Sequence, residues 1–283
     1  MFNSRRLRYR ITKSPLRAPL IWLRHRGLDR NDVFLASYPR SGSTWLRFLL
    51  SEILTRDSAA FDKVNRAIPE IGLHVQAVPV LPGEGRLIKT HEPYRREYHK
   101  AVYLLRDARD VVLSEHAREN GLNLVTTDFD GYVAAFVRGE VAGFGSWQNH
   151  IPSWLDSPLA KAGNLLVVKF EDMRRNTEQI VAKILEFLGF QAEPGVIQAA
   201  IANNSVERMR AKEKDAQRLL KTTKAEGSFV RRGSVGGWRE KLTEKQIELV
   251  EQYAGDALTR MGYPLVSKAA AEVGTPVNAR QAS

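Results

Sequence analysis

Short apolar runs alternate along this chain with segments of helical periodicity. DVFLASY (residues 32–38) leads into a helical pattern from Thr44, and GRLIKTH (85–91) follows. AVYLLRD (101–107) then leads into a helical pattern from Asp110, and NLLVVKF (164–170) into one that runs through Gly189. Strand–helix alternation of this kind packs as a parallel sheet covered by helices on both faces. TEQIVAKILEFLGF places Ile180, Ile184, Leu185 and Leu188 on one packing stripe and ends at Gly189, a helix stop. With 283 residues, 43% of them hydrophobic, the chain buries a sizeable core, and the absence of repeats and linkers favours one domain with long inserts. The expected fold is therefore α/β, a single domain with a central parallel β-sheet flanked by helices. Its limits are read as a basic arm over 1–30, the domain over 31–265 and a disordered tail over 266–283, where small and polar residues dominate.

The formal charge is +11 and the pI near 9.9, which favours anionic ligands or surfaces: nucleic acid, a phosphate-bearing cofactor or acidic lipid. Cysteine is absent, so a disulfide framework, a thiolate metal site and a cysteine nucleophile are excluded, and the cytoplasm is the default compartment. Arg5, Arg6, Arg8, Arg10, Lys13, Arg17, Arg24, Arg26 and Arg30 crowd the first 30 residues. Their one apolar stretch, APLIWL, is too short for a signal segment or a membrane span. The arm reads first as a solvated tail capping the domain. With Ile21 and Trp22 in it, peripheral contact with an anionic membrane is the alternative.

The turn in LASYPRSGSTWLRFLL (35–50) lies between a strand and a helix, where parallel sheets bind ligands. Gly42 lets backbone approach a ligand closely, and Ser41, Ser43, Thr44 and the helix-start N–H groups all donate to an anion. The alternative for this segment alone is a simple capped helix. The nucleoside triphosphate pattern GxxxxGK[ST] is missing: Pro39 and Arg40 precede Ser41, and no Lys precedes Ser43 or Thr44. In AVYLLRDARDVVLSEHA, Arg106 leaves a strand and Ser114 sits one turn into the next helix, so both can face one anion, with Asp110 as the expected N-cap. The competing reading pairs Arg106 and Arg109 with Asp107 and Asp110 on the surface. In GSFVRRGSVGGWREKLT, Arg231 and Arg232 stand among four glycines, so backbone can wrap a charged group. No cluster of His and carboxylates has metal-ligand spacing, so no metal is expected.

Taken together, the chain resembles the cytosolic-type sulfotransferases that use 3′-phosphoadenosine 5′-phosphosulfate (PAPS), in a bacterial form. YPRSGSTW is similar to that family's loop for the 5′-phosphosulfate and YLLRDARDVVLS to its 3′-phosphate element. KTHEP is similar to its catalytic strand end and RRGSVGGWREKLT to its cofactor lid. FVRGEVAGFGSWQNHIPSW and KFEDMRRNTEQIVAKILEFLG also look like family segments, so the resemblance covers roughly residues 31 to 265. It implies a P-loop-like phosphosulfate-binding strand–loop–helix, with Arg40, Ser41, Gly42, Ser43 and Thr44 around the 5′-phosphosulfate and Trp45 stacked on adenine. Arg106 and Ser114 would take the 3′-phosphate, with Arg231, Arg232 and Gly233 closing over it. Phe170 falls where the family commonly has Tyr beside the adenine, and Asn204 or Ser205 is the looser match for a base contact.

Sulfuryl transfer to a hydroxyl needs a base and a cation. His91 is the expected base, its pKa near operating pH, and Lys89, two residues earlier on the same strand face, stabilises transferring or leaving oxygens. Arg40 stands where the family usually has Lys; it remains a cation but donates no proton, which a phosphate leaving group does not need. The implied cofactor is PAPS, with 3′-phosphoadenosine 5′-phosphate (PAP) as product. The implied partner is a hydroxyl-bearing acceptor: a small alcohol or phenol, a lipid or a glycan. Inserts over 57–85, 118–150 and 205–228 would build the acceptor pocket, the middle one with Phe129, Tyr132, Phe136, Phe144 and Trp147, although Phe136 and Trp147 suit a core equally well. Two other classes stay open: a nucleotide-dependent kinase of P-loop-like fold, which should bind ATP with metal, and a basic nucleic-acid-binding protein, with salt-dependent affinity for DNA or RNA.

Overall fold

The computed structural model describes residues 17–219 and 233–267. Four strands, β1 (Val33–Ser37), β2 (Leu87–Thr90), β3 (Ala101–Leu105) and β4 (Leu165–Lys169), form one sheet in the order β2-β1-β3-β4. Every pairing is parallel, as the alternation of apolar runs and helices predicts. The period-two geometry of a strand divides its side chains between two cores. Phe34 and Ala36 of β1 enter the core that holds Trp147, Trp154 and Trp238, while Val33 and Leu35 enter the one that holds Leu46, Leu49, Leu50 and Ile53. Both faces of β1 and β3 are thus buried, which is why their sequences read as continuous apolar runs.

The helix after β1 spans Ser43–Thr55, one residue earlier than the expected start at Thr44. The helix after β3 spans Ala108–Gly121, and its N-cap is Asp107, whose carboxylate accepts from the Arg109 N–H, rather than Asp110. Asp110 lies within the first turn and has other partners, described below. After β4 the chain breaks once: one helix spans Phe170–Arg175 and a second Thr177–Phe187, with Gly189 at φ 74° beyond it. Ile184, Leu185 and Leu188 are buried on its inner stripe and Ile180 packs partly buried beside them, as the spacing predicts.

At the N-terminal side, the helix Arg17–Arg24 and the turn after it are tied to the domain. The Arg24 guanidinium donates to the Ile71 carbonyl at 2.6 and 3.1 Å, and His25 Nε2 lies 2.7 Å from the Tyr98 hydroxyl. Among the described residues no helix is long and apolar enough to cross a membrane.

The sheet order puts β2 and β3 on opposite sides of β1, so the chain reverses its direction of travel across the sheet at β1. Open parallel sheets bind ligands beyond the carboxyl ends of their strands at such a switch point. Ser37, Thr90, Leu105 and Lys169 end the four strands, so the next residues along the chain, up to His91, Arg106 and Phe170, gather at one edge.

Candidate active site

The turn after β1 begins with Arg40 in the left-handed region at φ 66° and passes through Gly42 at φ 97° and ψ 8°. Gly42 caps the following helix without any side-chain hydrogen bond, so the N–H groups of the first turn stay available to an anion. A Cβ on Gly42 would lie 2.4 Å from the Phe170 ring, so only glycine allows this close approach. Ser41 is fully buried and its hydroxyl has no hydrogen-bond partner. Ser43 is buried beside it, with Thr44 and Trp45 partly exposed on the helix start. A buried orphan hydroxyl, an uncapped helix start and a glycine under an aromatic ring fit a bound phosphate-type anion.

Arg106 stitches three parts together. Its guanidinium donates to the Arg40 carbonyl at 3.2 Å and to the Ser234 carbonyl at 2.9 Å, and it lies 4.7 Å from the Phe170 ring centroid. Its Nε is buried with no partner, a second orphan donor at the same place. Arg109 is fully buried with Asp107 at 2.7 Å, so the surface pairing weighed for these arginines gives way to a buried ion pair. Asp110 accepts from the N–H groups of Gly236 at 2.8 Å and Trp238 at 3.1 Å. It thereby anchors the glycine-rich segment over the site. Ser114 accepts from Arg40 Nε at 3.2 Å, and the buried Glu115 carboxylate lies 3.9 Å from the same nitrogen. Burial pushes the Glu115 carboxyl above its ordinary range, against the pull of Arg118 and Arg40.

Gly233 lies against Phe170, whose ring faces the space a Gly233 Cβ would enter at 3.7 Å. Arg231 and Arg232 lie outside the described residues. Trp45 donates its indole N–H to the Asn204 carbonyl at 3.0 Å, and the Arg174 guanidinium stands 5.2 Å from its ring centroid. The Asn204 side chain hydrogen-bonds Glu52, the Ala200 carbonyl and Lys212.

His91 follows β2. Its Nδ1 is 2.7 Å from the Ser37 carbonyl, which can only accept, so Nδ1 carries the proton and Nε2 presents a lone pair. Burial, and then the charge of Lys89, hold His91 well below its ordinary pKa rather than near the operating pH that the sequence reading expects, so the ring is neutral at physiological pH. Phe144 comes within 5.7 Å of the imidazole centroid. Tyr132, Phe136 and Trp147 are core residues instead, and Phe129 packs on His116. Lys89 is lowered to about 8, chiefly by burial, with Glu70 opposing that shift. Its ammonium lies 3.7 Å from the Glu70 carboxylate. Burial pushes Glu70 upward, but Lys89 above all, with Arg24 and Arg47, holds it below its ordinary range.

Sequence reasoning passed over Ser37, Glu70, Glu115, His150 and Arg174. His150 donates through Nε2 to the His91 carbonyl at 3.1 Å, while its Nδ1 lies 2.7 Å from the Tyr103 hydroxyl, so it holds the loop that carries His91. Within residues 57–85 a backbone bridge aligns Glu70 with Lys89, and no local sequence pattern announces it.

Residues 30–262 match the sulfotransferase domain family. The chain belongs to that family. It is 27% identical over 253 residues to sulfotransferase 2A2 of Mus musculus, covering 84% of this chain and 87% of the relative. It is 29% identical over 240 residues to sulfotransferase 1B1 of Canis lupus familiaris, covering 77% and 80%. Flavonol 3-sulfotransferase of Flaveria bidentis is 27% identical over 266 residues, covering 83% and 84%. Among solved structures, retinol dehydratase in complex with androsterone and inactive cofactor PAP superposes with a TM-score of 0.65 at 23% identity, over 83% of each chain. Mouse sulfotransferase SULT7A1 complexed with PAP gives 0.64 at 23% identity, over 85% of this chain and 91% of that one. These neighbours share the fold: a sulfotransferase α/β domain on a parallel sheet. Sulfotransferases move a sulfuryl group to a hydroxyl acceptor.

Proposed function

We propose that this sulfotransferase takes its sulfuryl group from PAPS and passes it to a hydroxyl acceptor, with His91 as general base. The observation that carries the reading is the pair of buried, unpartnered donors, Ser41 Oγ and Arg106 Nε, around an uncapped helix start, after a strand whose last residue, Ser37, bonds His91 through its carbonyl. Buried donors without partners are costly unless a ligand satisfies them. The PAP held by two structural neighbours supports the choice of nucleotide.

When bound, PAPS supplies the sulfuryl group and departs as the 3′,5′-bisphosphate PAP. Ser41, Gly42, Ser43 and Thr44 would hold the 5′-phosphosulfate end through backbone and hydroxyl donors. Arg106 and Ser114 would face the 3′-phosphate, Trp45 and Phe170 the adenine, and Gly233 with Arg231 and Arg232 would close over it. His91 Nε2 would take the acceptor hydroxyl proton as the sulfuryl group transfers to that oxygen. Arg40 and Lys89 place positive charge where negative charge develops on the departing and transferring oxygens. Phe144 is the insert aromatic best placed to contact the acceptor.

The test is calorimetric titration of the full chain with PAP, ATP plus magnesium, and adenosine 5′-phosphate, on wild type and Arg106→Ala. Selective PAP binding that Arg106→Ala weakens supports the reading, and PAPS turnover on an acceptor panel then follows. Preference for ATP with magnesium, or no nucleotide binding, would overturn it.

A further inference from the structure

Nine large apolar side chains are exposed among the described residues. Six of them lie on two touching segments. Leu20, Trp22 and Leu23 project from the helix Arg17–Arg24, and Leu73, Val75 and Val78 from the loop before β2, with exposures of 42% to 72%. A patch of this kind on a folded domain marks an interaction surface.

The two segments are built together. Arg24 bonds the Ile71 carbonyl, and a Cβ on Gly72 would meet the Arg24 side chain at 2.8 Å. Arg86 reaches the Gly27 carbonyl at 2.7 Å and the His74 carbonyl at 3.2 Å, and its ion pair with Asp32 at 2.7 Å fixes it to the start of β1. The turn after the helix points His25 inward to Tyr98 while Leu20, Trp22 and Leu23 stay outside, so the apolar face is held in place by bonds on its reverse side.

Charge chooses the occupant. Residues 1–30 hold nine Lys and Arg against one acidic residue, Asp29, so this short stretch carries +8 of the chain's +11. Arg26 and Arg30 are exposed, and the Arg26 guanidinium stands 5.1 Å from the Trp22 ring. An exposed Trp among leucines with arginines around it suits the boundary between acyl chains and anionic headgroups. We infer that this face, the Arg17–Arg24 helix with the Leu73–Val78 loop, docks the protein on a bilayer of acidic phospholipid. Arg24 also lies 3.5 Å from Glu70, which pairs with Lys89, so the docked face is two side chains away from the Lys89 end of β2.

The test is sedimentation of the full chain with sucrose-loaded vesicles of phosphatidylcholine, with and without phosphatidylserine. Binding should be confined largely to the acidic vesicles and fall as salt rises. Trp22→Ser with Leu23→Ser, and independently Leu73→Ser with Val75→Ser, should each weaken it by about tenfold with the melting temperature unchanged, because every altered side chain is exposed. Trp22→Phe should keep binding but lose the blue shift of tryptophan emission on vesicles. Three results would each overturn the inference: no binding to acidic vesicles, binding that neither apolar pair reduces, or a dimer in analytical ultracentrifugation that the same substitutions dissolve. The last would assign the face to a second copy of the chain. None of these measurements involves PAPS or sulfate transfer, so they stand apart from the proposed reaction.

Discussion

Arg40 spends backbone strain to stand where it does: a left-handed φ of 66° on a residue with a Cβ costs about 1 kcal/mol or more, and such strain gathers at functional sites. Its guanidinium is aimed by Ser114 and Glu115. Arg40→Ala should lower kcat by about a hundredfold, with Arg40→Lys recovering most of it, measured by steady-state turnover with PAPS; near wild-type turnover in the alanine variant would remove Arg40 from the mechanism. The pH profile of kcat/KM tests His91 and Lys89 together. His91 is held below its ordinary value, so its base form persists and the acid limb lies well below pH 6.5. Lys89, at about 8, loses its charge as pH rises through that value, which sets the alkaline limb. Lys89→Arg should move the alkaline limb upward and leave the acid limb in place. Lys89 and His91 were singled out in KTHEP by its resemblance to the family's catalytic strand end, and the structure puts Lys89 on β2 and His91 just beyond it. Their partners were not: Ser37 is 54 positions from His91 and His150 is 59, distances that only the folded chain closes.

At the scale of elements, Asp110 is the clearest case of a residue whose type was readable and whose role was not. A carboxylate in the first turn suits the helix dipole wherever it points. Here it reaches 126 and 128 positions along the chain, to the N–H groups of Gly236 and Trp238. Asp110→Ala should strand both donors and cost about 2–4 kcal/mol in urea unfolding, with Asp110→Asn losing less because its amide oxygen still accepts. PAP affinity should fall in parallel if this anchor shapes the lid. Gly42→Ala should also weaken PAP binding sharply, because its positive φ and the Phe170 ring both exclude a side chain; unchanged affinity would show that the turn does not approach the ligand. The break at Asn176 was invisible to periodicity, since apolar spacing on either side of it stays helical.

For the whole molecule, burial of neutral histidines makes stability depend on pH. His150 is lowered from 6.5 to about 4, by burial above all. The unfolded chain therefore binds more protons than the folded one below pH 6.5, and stability falls as pH falls from there toward 4. The contribution of His150 to that loss is about 3 kcal/mol, and His150→Gln should flatten the acid side of a plot of melting temperature against pH. Local pattern was enough to read the parallel α/β sheet, the two-sided burial of β1 and β3 and the family. Apolar runs, helical periods and short motifs are written in residue order, and a strand buried on both faces must be apolar at successive positions. Tertiary structure alone decided which donors were left without partners, which tautomer His91 holds, that Glu70 faces Lys89, and that Asp110 carries the glycine-rich segment. It also decided that Tyr132, Phe136 and Trp147 are core while Phe144 reaches the imidazole. Those outcomes depend on desolvation and on contacts between residues far apart in the chain, which exist only once the sheet has brought its strand ends together.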